Sequence, residues 1–169
     1  NTFLELTTAH EIAHQWWYSL VGNNQVAQPW LDESLTSYSE YVYIREVYGD
    51  QRAREQVNAD RSNYSYYRGS NAPDLPLDLP VSDYADNNYG MIIYVKGPLF
   101  YAELERQLGT ERFLDALRLY YERHRYEVAR SADVLAAFED ATGEQLDALF
   151  YQWVGEFPGL SVPAPDAPS

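Results

Sequence analysis

The sequence predicts a mainly α protein. Apolar residues recur at helical spacing along most of the chain, no stretch reads as a confident strand, and turn formers gather in a few places. There is no internal repeat and no low-complexity run. The 169 residues suffice for one domain with a real core.

The elements follow in order. A first helix is expected over 3–21, closed by Gly22 as a left-handed C-terminal cap. The polar loop NNQVAQP follows. A second helix starts near Asp32 and ends before Gly49, and a third, polar and arginine-rich, runs over 50–68. Residues 69–88, GSNAPDLPLDLPVSDYADNN, hold three prolines and read as a loop over the surface. Helical spacing resumes near Tyr89 and continues to Leu108, with Gly97–Pro98 as a kink or a late start. Thr110, with Phe113, Leu114 and Leu117, opens a fifth helix. Ser131 and Asp133 read as caps of a sixth, with Val134, Leu135 and Phe138 inward. A seventh carries Leu146, Leu149, Phe150 and Trp153. From Pro158 the chain is Pro-rich and extended, so the domain is placed at 1–160 and a tail at 161–169.

Composition narrows the function. With 12 basic and 26 acidic residues the net charge is −14, which disfavours nucleic acid as a partner. Such a surface is either simply solvated or attractive to cationic substrates, such as peptides with free amino termini. The absence of cysteine excludes disulfides and thiolate metal sites but leaves the compartment open. No segment resembles a signal peptide, and no apolar run is long enough to span a membrane. The 16 tyrosines and four tryptophans point to aromatic packing or an aromatic-lined cleft. Lys96 is the single lysine. The chain begins at Asn1 without an initiator Met, as expected of a piece of a longer protein or of a processed product.

HEIAHQWW, at 10–17, carries the first chemical signal. On a helix, His10 and His14 lie one turn apart on one face, so both imidazoles can reach one ion. Glu11 lies one residue round, beside the ion but pointing differently. H-E-x-x-H on a helix is a zinc pattern for this reason, and two imidazoles suit Zn²⁺, which also accepts a carboxylate. A pair of solvated or core histidines gives the same letters, so a third ligand has to decide. Glu33 is the candidate. Eighteen residues separate it from His14, and an antiparallel helix pair with a short loop would return it to the histidines. Two His and one Glu leave an open coordination position, the catalytic rather than the structural arrangement. A first-turn glutamate also suits the helix dipole, and the two readings are compatible. Glu40, seven residues on, shares the face of Glu33; it is either a hydrogen-bond partner of a ligand or a solvated glutamate. His124, in YYERHRY, reads as structural or surface.

HEIAHQWW, the spacing to Glu33, and WLDES together resemble the aminopeptidase N family of zinc metallopeptidases, of the gluzincin type. The family pattern is H-E-x-x-H, eighteen residues, then Glu, commonly within W-L-N-E-G. This chain has Asp32 for the usual Asn and Ser34 for the usual Gly; neither change removes a ligand. YVKGPLFYAELERQLG, at 94–109, resembles the family's Y-x-K-G segment and the helix after it. ATG, LFYQWV and EFPGL resemble the end of its catalytic domain, so the likeness covers nearly the whole chain.

The resemblance implies a thermolysin-like helical catalytic domain with one Zn²⁺ held by His10, His14 and Glu33. Glu11 would be the general base and Tyr94 the phenol that stabilises the tetrahedral intermediate. Tyr89 could also line the site, and Lys96 is given no catalytic role. The implied function is zinc-dependent hydrolysis of peptide bonds, with a peptide or protein as substrate, in the catalytic core of an aminopeptidase. A zinc endopeptidase and a non-catalytic binding domain that keeps the fold are the alternatives, with a structural zinc module further off. The family's G-x-M-E-N segment, whose glutamate binds the substrate's free amino group, does not occur in this sequence. Nor do the family's preceding β-domain and following helical domain. The expectation is a piece of a larger protein, partnered by those domains, that binds zinc with weak or no aminopeptidase activity by itself.

Overall fold

The computed structural model describes residues 2–85 and 88–161. Among them the helices are α1 (Thr2–Ala13), α2 (Trp30–Tyr48), α3 (Asp50–Gly69), a short α4 (Tyr89–Met91), α5 (Gly97–Leu108), α6 (Thr110–His124), α7 (Ser131–Thr142) and α8 (Asp147–Trp153). A π-helical turn, Ile92–Lys96, joins α4 to α5, and a 3-10 turn covers Val81–Asp83. Strand-like pairing is limited, among the described residues, to isolated bridges between Trp17 and Val21 and between Gly22 and Val128. The mainly α expectation is borne out. Among the described residues no helix is long and apolar enough to cross a membrane.

Helix α2 is central, touching α1, α3, α5 and the π turn. Contact on several sides explains its pattern: Trp30, Leu35, Tyr38, Tyr41 and Ile44 are buried, and so are Asp32, Ser34, Thr36 and Ser37. Pro29 stands just before its first turn, where a missing N–H costs nothing. The core beside it is largely aromatic. Trp30 stacks on Tyr101 at 6.0 Å, Tyr38 meets Phe113 at 5.1 Å, and Phe100 meets Phe150 edge-on at 5.0 Å. Such pairs add about 0.5–1.5 kcal/mol each beyond area burial. Much of the aromatic content is therefore core packing. Polar α3 buries only Ala53 and is hooked to α2 by the Tyr41 hydroxyl, which donates to Asp60 at 2.7 Å.

Several boundaries differ from the sequence expectation. Helix α1 ends at Ala13, not near residue 21. The Tyr18 N–H turns back to the Val21 carbonyl (2.9 Å), and Tyr18 takes φ 117°, so the aromatic run 16–18 is a compact turn. Gly22 is therefore no helix cap. It exchanges hydrogen bonds with the segment after α6: its N–H donates to Glu127 O at 2.9 Å, and its carbonyl accepts from Ala129 N at 2.8 Å. The connection between α1 and α2 is accordingly long rather than short. The proline-rich stretch is pinned down: Leu77 and Tyr84 are buried in it, and Asp78 N–H donates to Val154 O at 2.9 Å. Ser131 is not a cap either; its hydroxyl is buried and accepts from Trp30 Nε1 at 3.0 Å. Asp133 does cap α7, accepting the Arg130 N–H at 2.8 Å. Pro158–Gly159 form a turn rather than an extended start to the tail, and of 161–169 only Ser161 lies within the described residues.

Candidate metal centre

The site is built where α1 meets α2. The helices run antiparallel: Tyr43 of α2 donates to Glu5, near the start of α1, while Glu33 meets His10 and His14 at its end. His14 lies one residue past α1, yet its N–H still donates to His10 O at 3.2 Å, so the one-turn spacing of the two imidazoles survives. Their rings meet edge-on at 4.9 Å.

Both Nε2 atoms face one carboxylate oxygen, Oε2 of Glu33, at 3.2 Å from His10 and 3.4 Å from His14. Their Nδ1 atoms are engaged behind. That of His10 lies 2.9 Å from Glu40 Oε1, and that of His14 lies 3.0 Å from the Trp17 carbonyl. Each partner is an acceptor, so each Nδ1 carries the proton and each Nε2 lone pair points inward when the ring is neutral. One ligand atom from each of His10, His14 and Glu33 lies within 4.8 Å of the others. Two imidazoles and a carboxylate, converging with their outer nitrogens tied back, fit a zinc ion.

The electrostatics show what holds the group without metal. Burial opposes charge on His10, but hydrogen bonds to Glu33 and Glu40 push its pKa up to about 9. Glu33 raises His14 as well. Burial works against the Glu33 carboxylate, yet His10 and His14 hold its pKa down to about 2.

The surrounding cleft, about 460 Å³, is lined by Phe3, Thr7, His10, Glu11, Glu33 and Tyr94, among others. Glu11 is exposed within it. The Tyr94 ring lies 6.0 Å from that of His10 and 5.9 Å from that of Tyr89. Partial burial and the Glu33 charge raise the Tyr94 pKa, so it stays a neutral phenol. His124 lies elsewhere, at the end of α6 against Tyr120. A larger groove, about 870 Å³, runs along another side of α1 between Leu4, Ile12, Trp16 and Tyr43, and among the described residues it holds no comparable cluster of ligand groups.

Two polar residues next to the ligands make contacts that the sequence alone did not assign. Asp32 is buried, and its two oxygens accept from Asn23 Nδ2 at 2.9 Å and Gln25 Nε2 at 2.8 Å. Burial raises its pKa, with the two amides opposing. The polar letters of NNQ, before a helix-opening Asp, were the available signal. Thr36, with its hydroxyl 3.3 Å from His14 Nδ1, gave none.

The profile of the Peptidase family M1 domain matches residues 2–153. The chain belongs to this family. Among M1 relatives, Aminopeptidase N of Streptomyces lividans is 29% identical over 164 residues, covering 95% of this chain and 19% of its own length. Aminopeptidase M1-A of Oryza sativa subsp. japonica is 27% identical over 165 residues, with the same two coverages of 95% and 19%. The chain thus spans about a fifth of these relatives. An M1 zinc metallopeptidase from Deinococcus radiodurans shares the fold, with a TM-score of 0.73 at 22% identity over 98% of this chain and 35% of that one. A mutant of that protein has been solved bound to a Tyr-Ser-Ala substrate.

Proposed function

We propose that this domain hydrolyses peptide bonds with one Zn²⁺ held by His10, His14 and Glu33, and that residues 1–160 form the catalytic core of an aminopeptidase. The observation that carries this is the convergence of two Nε2 atoms on one Glu33 oxygen, at 3.2 and 3.4 Å, in a cleft bordered by Glu11 and Tyr94. Zinc, when bound, would supply Lewis acidity towards a water and a substrate carbonyl. Glu11 accepts a proton from the attacking water and passes it to the leaving amine. The Tyr94 phenol donates to the carbonyl oxygen as that oxygen gains negative charge. Glu40 and the Trp17 carbonyl hold the imidazoles in their working tautomers.

The relatives' names support removal of N-terminal residues, and the tripeptide bound to the Deinococcus protein supports a peptide substrate. Further domains of a longer chain are proposed as partners; the relatives' length and the exposed Leu4 and Ile12 on α1, with Trp16 in the turn after it, support them. The test is Glu11→Gln beside His14→Ala at the protein's full natural length. Glu11→Gln keeps zinc while hydrolysis of aminoacyl amides falls about 10²–10⁴-fold; His14→Ala loses the metal. Undiminished hydrolysis by Glu11→Gln would sink the assignment.

A further inference from the structure

The turn that presents Tyr94 is short of one hydrogen-bond donor, and Ser34 supplies it. Within Ile92–Lys96 the backbone is π-helical, and the Gly97 N–H reaches back five residues to the Ile92 carbonyl. The next bond of that register would run from residue 98 to the Ile93 carbonyl. Residue 98 is proline, which has no N–H. Ile93 is 0% exposed, so bulk water is no substitute. The Ser34 hydroxyl, also 0% exposed, donates to Ile93 O at 2.8 Å.

Space for that hydroxyl exists only because residue 97 is glycine. A Cβ there would sit 2.0 Å from Ser34 Oγ. Gly97, Pro98 and Ser34 therefore form one set: proline removes a donor, glycine opens a gap, and serine fills the gap with a replacement. Ser34 directly follows Glu33, and Ile93 directly precedes Tyr94. A single buried hydrogen bond thus joins the neighbours of the proposed ligand and the proposed phenol. The M1 resemblance places glycine at position 34, which has no such hydroxyl.

We infer that Ser34 is a positioning residue for Tyr94, fixing the π turn against α2 so that the phenol stands over the His10–Glu33 site. This rests on the reading of Tyr94 as the oxyanion donor. The test uses the full-length protein and four variants: Ser34→Ala, Pro98→Ala, their combination, and Tyr94→Phe. In Ser34→Ala, kcat falls about ten- to a hundredfold with KM and zinc content unchanged. In the zinc-free form of the same variant, amide exchange accelerates at residues 94–97 but not along α2. Adding Pro98→Ala supplies an N–H at 98, and both kcat and exchange protection return towards the parent values.

Unchanged kcat and unchanged exchange in Ser34→Ala, alongside an inactive Tyr94→Phe, overturn the inference and leave the role of Tyr94 standing. Loss of protection spread evenly over α2 and the turn would make Ser34 a packing residue and also overturn it. Full activity in Tyr94→Phe overturns the reading beneath it, whatever Ser34→Ala does.

Discussion

His10 hydrogen-bonds to Glu40, Nδ1 to Oε1 at 2.9 Å, on the side of the ring opposite Glu33. That bond fixes which nitrogen of His10 faces the site. Partners of this kind raise ligand basicity and restrict the ring, and their loss typically costs about 10–100-fold in metal affinity. Glu40→Ala is expected to weaken zinc binding by about that factor in a competition titration against a chelator. Glu40→Gln, which still accepts from Nδ1–H, should lose less. Equal affinity in all three proteins would mean that packing alone orients His10.

Zinc-free protein should be most stable in mildly acidic solution. The pKa of His10 rises from 6.5 to about 9 on folding, so its contribution is complete below about pH 6.5 and is lost as pH climbs through 9. The pKa of Glu33 falls from 4.5 to about 2, so its contribution is complete above about pH 4.5 and is lost as pH drops towards 2. The two windows overlap between about pH 4.5 and 6.5. Denaturant midpoints measured across pH without metal should peak there, and His10→Gln should flatten the alkaline limb. An alkaline limb that His10→Gln left unchanged would show that the imidazolium is not its source.

These two effects involve the part of the site that was legible in the sequence. His10, His14 and Glu33 were legible because a helix converts a four-residue spacing into a shared face, with Glu33 at the start of the next helix. The end of α1 was not. Trp16, Trp17, Leu20 and Val21 continue a helical apolar rhythm, and only contacts with distant residues, such as Trp17 Nε1 with Ser39 (3.0 Å), show the chain already turning. The π turn was hidden because IIYVK reads the same for either helix type. Glycine was legible as an exception but not its reason: Gly22 and Gly97 both serve close approach.

Gly22→Ala tests that reason. An added Cβ would lie 3.1 Å from the Glu127 carbonyl oxygen, a backbone atom that cannot swing aside. The segment at Glu127–Ala129 would have to give way slightly, which strains the bridge to Val128 and the Gly22–Glu127 and Ala129–Gly22 bonds. The expected cost is about 1–3 kcal/mol, the usual range for overpacking. A helix-cap glycine would predict cost from backbone strain alone, with the bridge intact. Amide exchange at Ala129 separates the two: it should accelerate in Gly22→Ala relative to α7.

Lys96 and Asp74 form an ion pair at 2.7 Å whose two ends differ in exposure, the lysine side chain at 5% and the aspartate at 46%. Lys96 also donates to the Leu75 carbonyl at 2.7 Å, and the Tyr64 hydroxyl donates to Asp74. The pair thereby straps the segment after α3 onto the π turn. Its asymmetry sets the order of two mutants. Lys96→Met nearly keeps volume and leaves Asp74 half in water, so the cost is about 1–3 kcal/mol, mainly the stranded Leu75 carbonyl. Asp74→Ala leaves a buried ammonium without its counter-charge, and breaking a pair in that sense costs about 3–5 kcal/mol. Asp74→Ala should therefore be the less stable in urea at neutral pH. Because burial already lowers the Lys96 pKa against the help of Asp74, the Asp74→Ala defect should shrink as pH rises and the amine is freed of its charge. A larger loss in Lys96→Met, or a gap between the mutants that does not narrow with pH, would place the energy of this contact in packing rather than in the buried charge.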